Sequence, residues 1–154
     1  MFTRPRTGAE GVLIEGAGGA AESASPEPLE SVARPCILVV EDDFLVGMEV
    51  ESGLEDAGYE VAGPAATAEE AVELAASRRP ALVVMDIRLA SKRDGIDAAL
   101  EIFETLGIRS LFASAHVDSQ VRARAEAARP LGWVAKPYRV ETLLAAVGEA
   151  LNEV

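Results

Sequence analysis

Aromatic residues make up only 5% of this 154-residue chain, so a core has to be assembled mainly from Ala, Val, Leu and Ile. Cysteine is represented by Cys36 alone, which excludes an internal disulfide. It opens an apolar run and reads as a small buried hydrophobe. No apolar run exceeds six residues, too short for a membrane-spanning helix. The N-terminus has Arg4 and Arg6 but no apolar segment before its glycines, which argues against a secretory signal. The expected location is the cytoplasm. Basic residues are also scarce, 14 against 26 acidic ones, for a net charge of −12. That balance argues against general affinity for nucleic acid or an anionic membrane. It suits a protein that binds cations, or partners with a basic face.

What is present points to one domain with a tail. Residues 1–34 contain 17 Gly, Ala, Ser or Pro, and GVLIEG is their only apolar cluster. A segment that buries so little is expected to be a flexible tail, with GVLIEG as a candidate docking element. From Pro35 to Val154 the texture changes. Short runs rich in Val, Ile and Leu occur at 36–40, 59–62, 81–85, 109–113 and 131–135. Between them lie stretches of helical spacing at 44–57, 67–78, 95–105, 118–128 and 139–152. Alternation of this kind predicts βα units around a parallel sheet covered on both faces, a compact (βα)5 flavodoxin-like fold. Thr67 with Glu70 reads as a capping box, Asp43 as a helix N-cap and Gly58 as a helix stop. Pro80 and Pro130 fall between helix and strand, where they interrupt no helix hydrogen bonds.

The ends of the apolar runs carry the chemistry. CILVV runs into Glu41, Asp42 and Asp43, and LVVM runs into Asp86. An isolated carboxylate is strongly penalised in an apolar setting, so both runs must end at a surface or at a cation. The fourth run ends in Ser114 and the fifth in Lys136, followed by Pro137. Open parallel sheets bind ligands outside the C-terminal ends of their strands. In the strand order 2-1-3-4-5 the first and third strands are neighbours, so their acids meet. Glu41, Asp42 and Asp86 together carry about −3, which a divalent ion and Lys136 bring to zero. Hard oxygen ligands without His or Cys suit Mg²⁺. Beside such a charge balance a carboxylate oxygen can attack a phosphoryl group. The developing charge would meet the metal, Lys136 and the Ser114 hydroxyl.

Over residues 35–152 this constellation resembles the receiver domain of bacterial two-component response regulators, the CheY-like family. The resemblance implies that Asp86 in LVVMD is the phosphoacceptor. It makes Ser114 in LFASA the switch hydroxyl and Lys136 in the Lys-Pro step the partner cation. It implies that Asp42 and Asp86 hold Mg²⁺ directly, Glu41 through water, and the Arg88 backbone carbonyl as a further ligand. It also implies a cis peptide before Pro137.

Three features depart from the family pattern. Trp133 stands three residues before the lysine, where Tyr or Phe is usual and turns inward on switching, so the resemblance makes it a switch residue beside Ser114; an indole is larger, so either that rotation is hindered or a different rearrangement carries the signal. The usual Pro after the acceptor is missing from DIRLASKRDG, which predicts a more mobile loop over the site. Arg88 and His116 stand at variable positions bordering the site, where a cation would bear on the lifetime of an acyl phosphate; the alternative for His116 is a plain surface residue.

With Val154 only a couple of residues past the last helical stretch, the expectation is a stand-alone receiver with no output domain. It would be a phosphoacceptor signalling protein rather than an enzyme, although it assists its own phosphotransfer and dephosphorylation. Its phosphodonor would be a sensor histidine kinase or a phosphotransfer protein. The fourth helical segment, VDSQVRARAEAARP, has only Val117, Val121, Ala125 and Ala128 on its apolar stripe, so it is the element expected to switch. Output is expected on the face formed by the fourth helix, fifth strand and fifth helix, through an unidentified downstream protein or a phosphorylation-dependent homodimer. Two rival readings remain. A pseudo-receiver scaffold would work without phosphate, and a haloacid-dehalogenase-like phosphatase would need a second Asp where Arg88 stands.

Overall fold

The computed structural model describes residues 34–154. The flexible tail expected over residues 1–34, with its GVLIEG cluster, lies outside the described residues apart from Arg34. From Cys36 onward strands and helices alternate strictly: β1 (Cys36–Val40), α1 (Phe44–Asp56), β2 (Glu60–Ala65), α2 (Ala68–Arg78), β3 (Leu82–Asp86), α3 (Gly95–Leu106), β4 (Ser110–Ser114), α4 (Ser119–Ala125), β5 (Gly132–Ala135) and α5 (Val140–Leu151). All strand pairings are parallel and the sheet order is β2-β1-β3-β4-β5. This is the flavodoxin-like order expected from the pattern, and it sets β1 and β3 side by side. No helix among the described residues is long and apolar enough to cross a membrane.

The alternation of side chains along each strand divides the core into two layers. Leu38, Val40, Val83, Met85 and Phe112 face α2, α3 and the short 3-10 turn Glu126–Ala128. Ile37, Val39, Leu82, Val84, Leu111 and Val134 face α1 and α5. Strands buried on both faces read as unbroken apolar runs, which is why they stood out in the sequence. With few aromatics available, the first layer closes on alanines: Ala68, Ala71 and Ala75 of α2, and Ala98 and Ala99 of α3. Cys36 is half-buried rather than fully buried. It packs against this layer, and burial pushes its thiol above the usual value.

Two elements differ from expectation. β2 does not stop at residue 62 but continues to Ala65 through a cis Gly63–Pro64 peptide, with a register shift opposite Leu38 and Val40. Gly63 supplies the positive φ of 96° that this irregularity needs. An edge strand tolerates Pro64 because the missing N–H faces no partner strand. The predicted helix at 118–128 is an α-helix only to Ala125, tightens into the 3-10 turn, and ends on Arg129 with φ 52°. Arg79 makes the same left-handed exit from α2, at φ 48°.

Candidate functional site

The ends of β1, β3, β4 and β5 open onto one cleft, and local hydrogen bonds set the side chains there. After β1, Asp43 caps α1 by accepting from the Leu45 and Val46 N–H groups, as the sequence suggested. Its own N–H donates to Glu41 Oε2 at 3.1 Å, which turns the Glu41 side chain back over the site. The Glu41 N–H donates to the Ala65 carbonyl at 2.8 Å, so the irregular end of β2 supports the acidic turn. Asp86 ends β3 and is 5% exposed; Glu41 is 6% exposed and Ser114 8%. Asp42 is exposed.

Carboxylate oxygens of Glu41, Asp42 and Asp86 all lie within 4.8 Å of one another, close enough for one cation to touch all three. The Lys136 ammonium reaches in from the end of β5, 2.7 Å from Glu41 Oε1 and 3.1 Å from Asp86 Oδ2. Its peptide bond to Pro137 is cis, and its N–H donates to the Ser114 carbonyl at 3.0 Å. Burial works against the Lys136 charge, but Glu41 and Asp86 outweigh it and hold the ammonium above the ordinary lysine value. Burial pushes the Glu41 carboxyl up, with the Asp86 charge adding to it, beyond what Lys136 and the Asp43 N–H offset. Lys136 therefore does not fully offset the burial of Glu41 beside Asp86. The donor set is all oxygen, which fits a hard divalent ion.

These groups line one open cavity of about 420 Å³, together with Arg88, His116 and Val121. The Arg88 N–H donates to Asp86 Oδ1 at 3.3 Å. Ser114 Oγ exchanges hydrogen bonds with the backbone of His116, accepting from its N–H and donating to its carbonyl, both at 3.3 Å. Trp133 is not among the cavity residues. Its indole stacks on Phe112 with centroids 4.8 Å apart and a 21° interplanar angle, and the Arg122 guanidinium lies 4.9 Å over its ring.

The loop after Asp86 is tied down despite its missing Pro. Ala90 N–H donates to the Ala66 carbonyl, and Ser91 Oγ accepts from Ala68 N–H while donating to the Arg93 carbonyl. Gly95 N–H closes the loop onto the Ile87 carbonyl at 2.7 Å. Two features here were not expected from the sequence. Asp94 and Asp97 form the reciprocal capping box of α3, which the acid pair at three-residue spacing signals. By contrast Glu70 of the expected box reaches the Ala66 N–H, one residue before the Thr67 cap. Gly95 is required by contact, since a Cβ there would stand 1.9 Å from the Asp86 carbonyl oxygen. Nothing in the local sequence announces that approach.

The family model described as the response regulator receiver domain matches residues 37–148. The transcriptional regulatory protein PdtaR of Mycobacterium tuberculosis is 34% identical over 116 residues, covering 75% of this chain and 56% of that protein. The chain thus spans little more than half the length of that relative. The chemotaxis protein CheY of Thermotoga maritima is 32% identical over 119 residues, covering 77% of this chain and 95% of CheY. Among solved structures, the signal receiver domain of a modulated diguanylate cyclase from Desulfovibrio desulfuricans superposes with a TM-score of 0.71 at 31% identity. It covers 78% of this chain and 95% of its own.

Proposed function

The chain belongs to the response regulator receiver domain family, and on that premise we propose that Asp86 accepts a phosphoryl group in a Mg²⁺-dependent reaction. Receiver domains and CheY-like proteins are signalling proteins, so the product is a switched state of the protein rather than a released metabolite. The observation that carries the reading is the setting of Asp86. It is a nearly buried carboxylate at a strand end, within reach of two other acids and of Lys136.

Glu41, Asp42 and Asp86 fit Mg²⁺, with the Arg88 carbonyl as a further ligand. Glu41 already gives one oxygen to Lys136 and the other to the Asp43 N–H, which suits an outer role through water. When bound, the metal supplies charge neutralisation for the phosphoryl oxygens. An Asp86 oxygen attacks phosphorus of a phosphohistidine, the P–N bond breaks, and its electron pair leaves with the imidazole. Lys136 stabilises the oxygens on one side, and the Ser114 hydroxyl can leave His116 to meet them on the other.

The phosphodonor is a sensor histidine kinase or a phosphotransfer protein. Support for a docking protein comes from Phe44, Leu45 and Met48, which stand 70%, 75% and 47% exposed at the start of α1 beside the acids. An apolar group of that size beside a polar cleft marks an interaction surface. Output through the α4-β5-α5 face is supported, on its β5 and α5 side, by an open groove of about 550 Å³ bordered by Trp133, Tyr138 and Thr142. A downstream protein or a second phosphorylated copy would occupy it. With net charge −12, neither nucleic acid nor an anionic membrane is a suitable partner.

Intact mass after acetyl phosphate and Mg²⁺ tests the reading. The wild type should gain one phosphoryl group and Asp86→Asn none, while Lys136→Ala should be slowed by about 10²-fold. A wild type that takes up no phosphate would identify a pseudo-receiver scaffold instead.

A further inference from the structure

Helix α4 buries very little, yet it is fastened to the start of α3, the helix that packs on the acceptor's backbone. Of its 7 residues only Ala125 is buried. On one flank the Arg124 guanidinium contacts Asp94 through both oxygens, at 2.9 and 3.2 Å, and Asp97 Oδ1 at 3.3 Å. Such a forked contact fixes geometry as well as charge. Asp94 and Asp97 are also the two halves of the α3 capping box, each accepting the other's N–H at 3.0 Å.

That cap sits directly on the acceptor. Gly95 N–H bonds the Ile87 carbonyl, and the space a Cβ would need at Gly95 is filled by the Asp86 carbonyl oxygen at 1.9 Å and carbon at 2.8 Å. Backbone packed this closely passes on a displacement. A shift at Asp86 and Ile87 moves Gly95, then Asp94, then whatever Asp94 holds. On the other flank of α4 the Arg122 guanidinium lies over the Trp133 ring, which also stacks on Phe112. The indole is held by both contacts and poorly placed to rotate.

Resting on the phosphoacceptor reading, we propose that Arg124 is a coupling residue of the switch: its guanidinium clasps α4 to the α3 cap seated on the acceptor's carbonyl, so that phosphorylation of Asp86 reaches α4 through Asp94 and Asp97 rather than by rotation of Trp133. It is a positioning residue, acting on the site only through the cap. With α4 clasped, the loop leading into it holds Ser114 Oγ against the His116 backbone. The phosphoryl oxygens compete for that hydroxyl. Loosening the clasp therefore favours the phosphorylated arrangement, and by reciprocity occupancy of the site loosens the clasp.

The test uses the full chain with Mg²⁺ and beryllofluoride, a phosphoryl mimic, with mimic affinity read by fluorine NMR and backbone opening by amide exchange over 119–128. The wild type should open α4 on binding the mimic, and Trp133→Leu, which leaves no aromatic ring to turn inward, should keep that response. Arg124→Ala should show α4 open beforehand and bind the mimic about three-fold tighter, the scale of one surface ion-pair network. Arg124→Lys, which loses the fork but keeps the charge, should fall between. A purely structural role would open α4 in Arg124→Ala and leave mimic affinity unchanged, and that result overturns the clasp. So does loss of the α4 response in Trp133→Leu. Failure of the wild type to bind the mimic would overturn the phosphoacceptor reading itself, and the clasp with it.

Discussion

At the scale of single residues, the site depends on groups of two kinds, and only one kind announces itself. Glu41, Asp42, Asp86, Ser114 and Lys136 were legible because a charged or polar residue at the end of an apolar strand needs a reason. Their positions follow from strand order alone. Gly95 and Arg124 were not legible. One is chosen by the atoms a side chain would meet, the other by partners 30 and 27 positions away in the chain. The Gly95 requirement is one of space, and Gly148 in α5, with nothing within 4 Å of a new Cβ, makes the comparison. Gly95→Ala should destabilise by at least roughly 1–3 kcal/mol, because the obstructing atoms are backbone and cannot turn aside. Gly148→Ala should instead stabilise by up to about 1 kcal/mol, the ordinary gain in a helix interior. Urea unfolding measures both; equal effects at the two glycines would contradict the close seat of α3 on Asp86.

Among the elements, strands and most helices were readable within a residue or two. Burial on both faces makes the strands continuous, and caps such as Asp43 mark the helix starts. β2 ran past its expected end because Gly-Pro reads as a turn, while the fold uses it as an irregularity on an edge strand. α4 was correctly expected to be thinly buried, but its fastening by arginines was invisible to an apolar-stripe argument. That fastening is pH-dependent. Burial pushes the Asp94 carboxyl up, but the Arg124 guanidinium and the Asp97 N–H outweigh it and hold it below the ordinary carboxylate value. A group with a lowered folded value stabilises above its unfolded value, about 3.9 for Asp, and loses that contribution as pH falls through the folded one. Wild type should therefore exceed Arg124→Ala in stability by roughly 0.5–1 kcal/mol near neutral pH, the range for a well-formed exposed ion pair. The gap should close below about pH 4. A gap that persists unchanged into acid would mean that Arg124 stabilises by packing rather than by its charge on Asp94.

For the whole molecule, the parallel topology does most of the functional work. It brings β1 and β3 together, so that acids 45 positions apart, Glu41 and Asp86, share one lysine and one cleft. An excess of negative charge at that point, within a chain of net charge −12, is sustained by Lys136 and suited to a divalent ion. The central claim is that this crowding serves one carboxylate as nucleophile. Its most direct test is to treat the full chain with acetyl phosphate and Mg²⁺, reduce it with borohydride, which converts a phosphorylated aspartate to homoserine, and locate that residue by peptide mass. The account predicts homoserine at position 86 alone, abolished when a chelator removes the metal. Homoserine at Asp42 or Asp43, or labelling that ignores Mg²⁺, would contradict it.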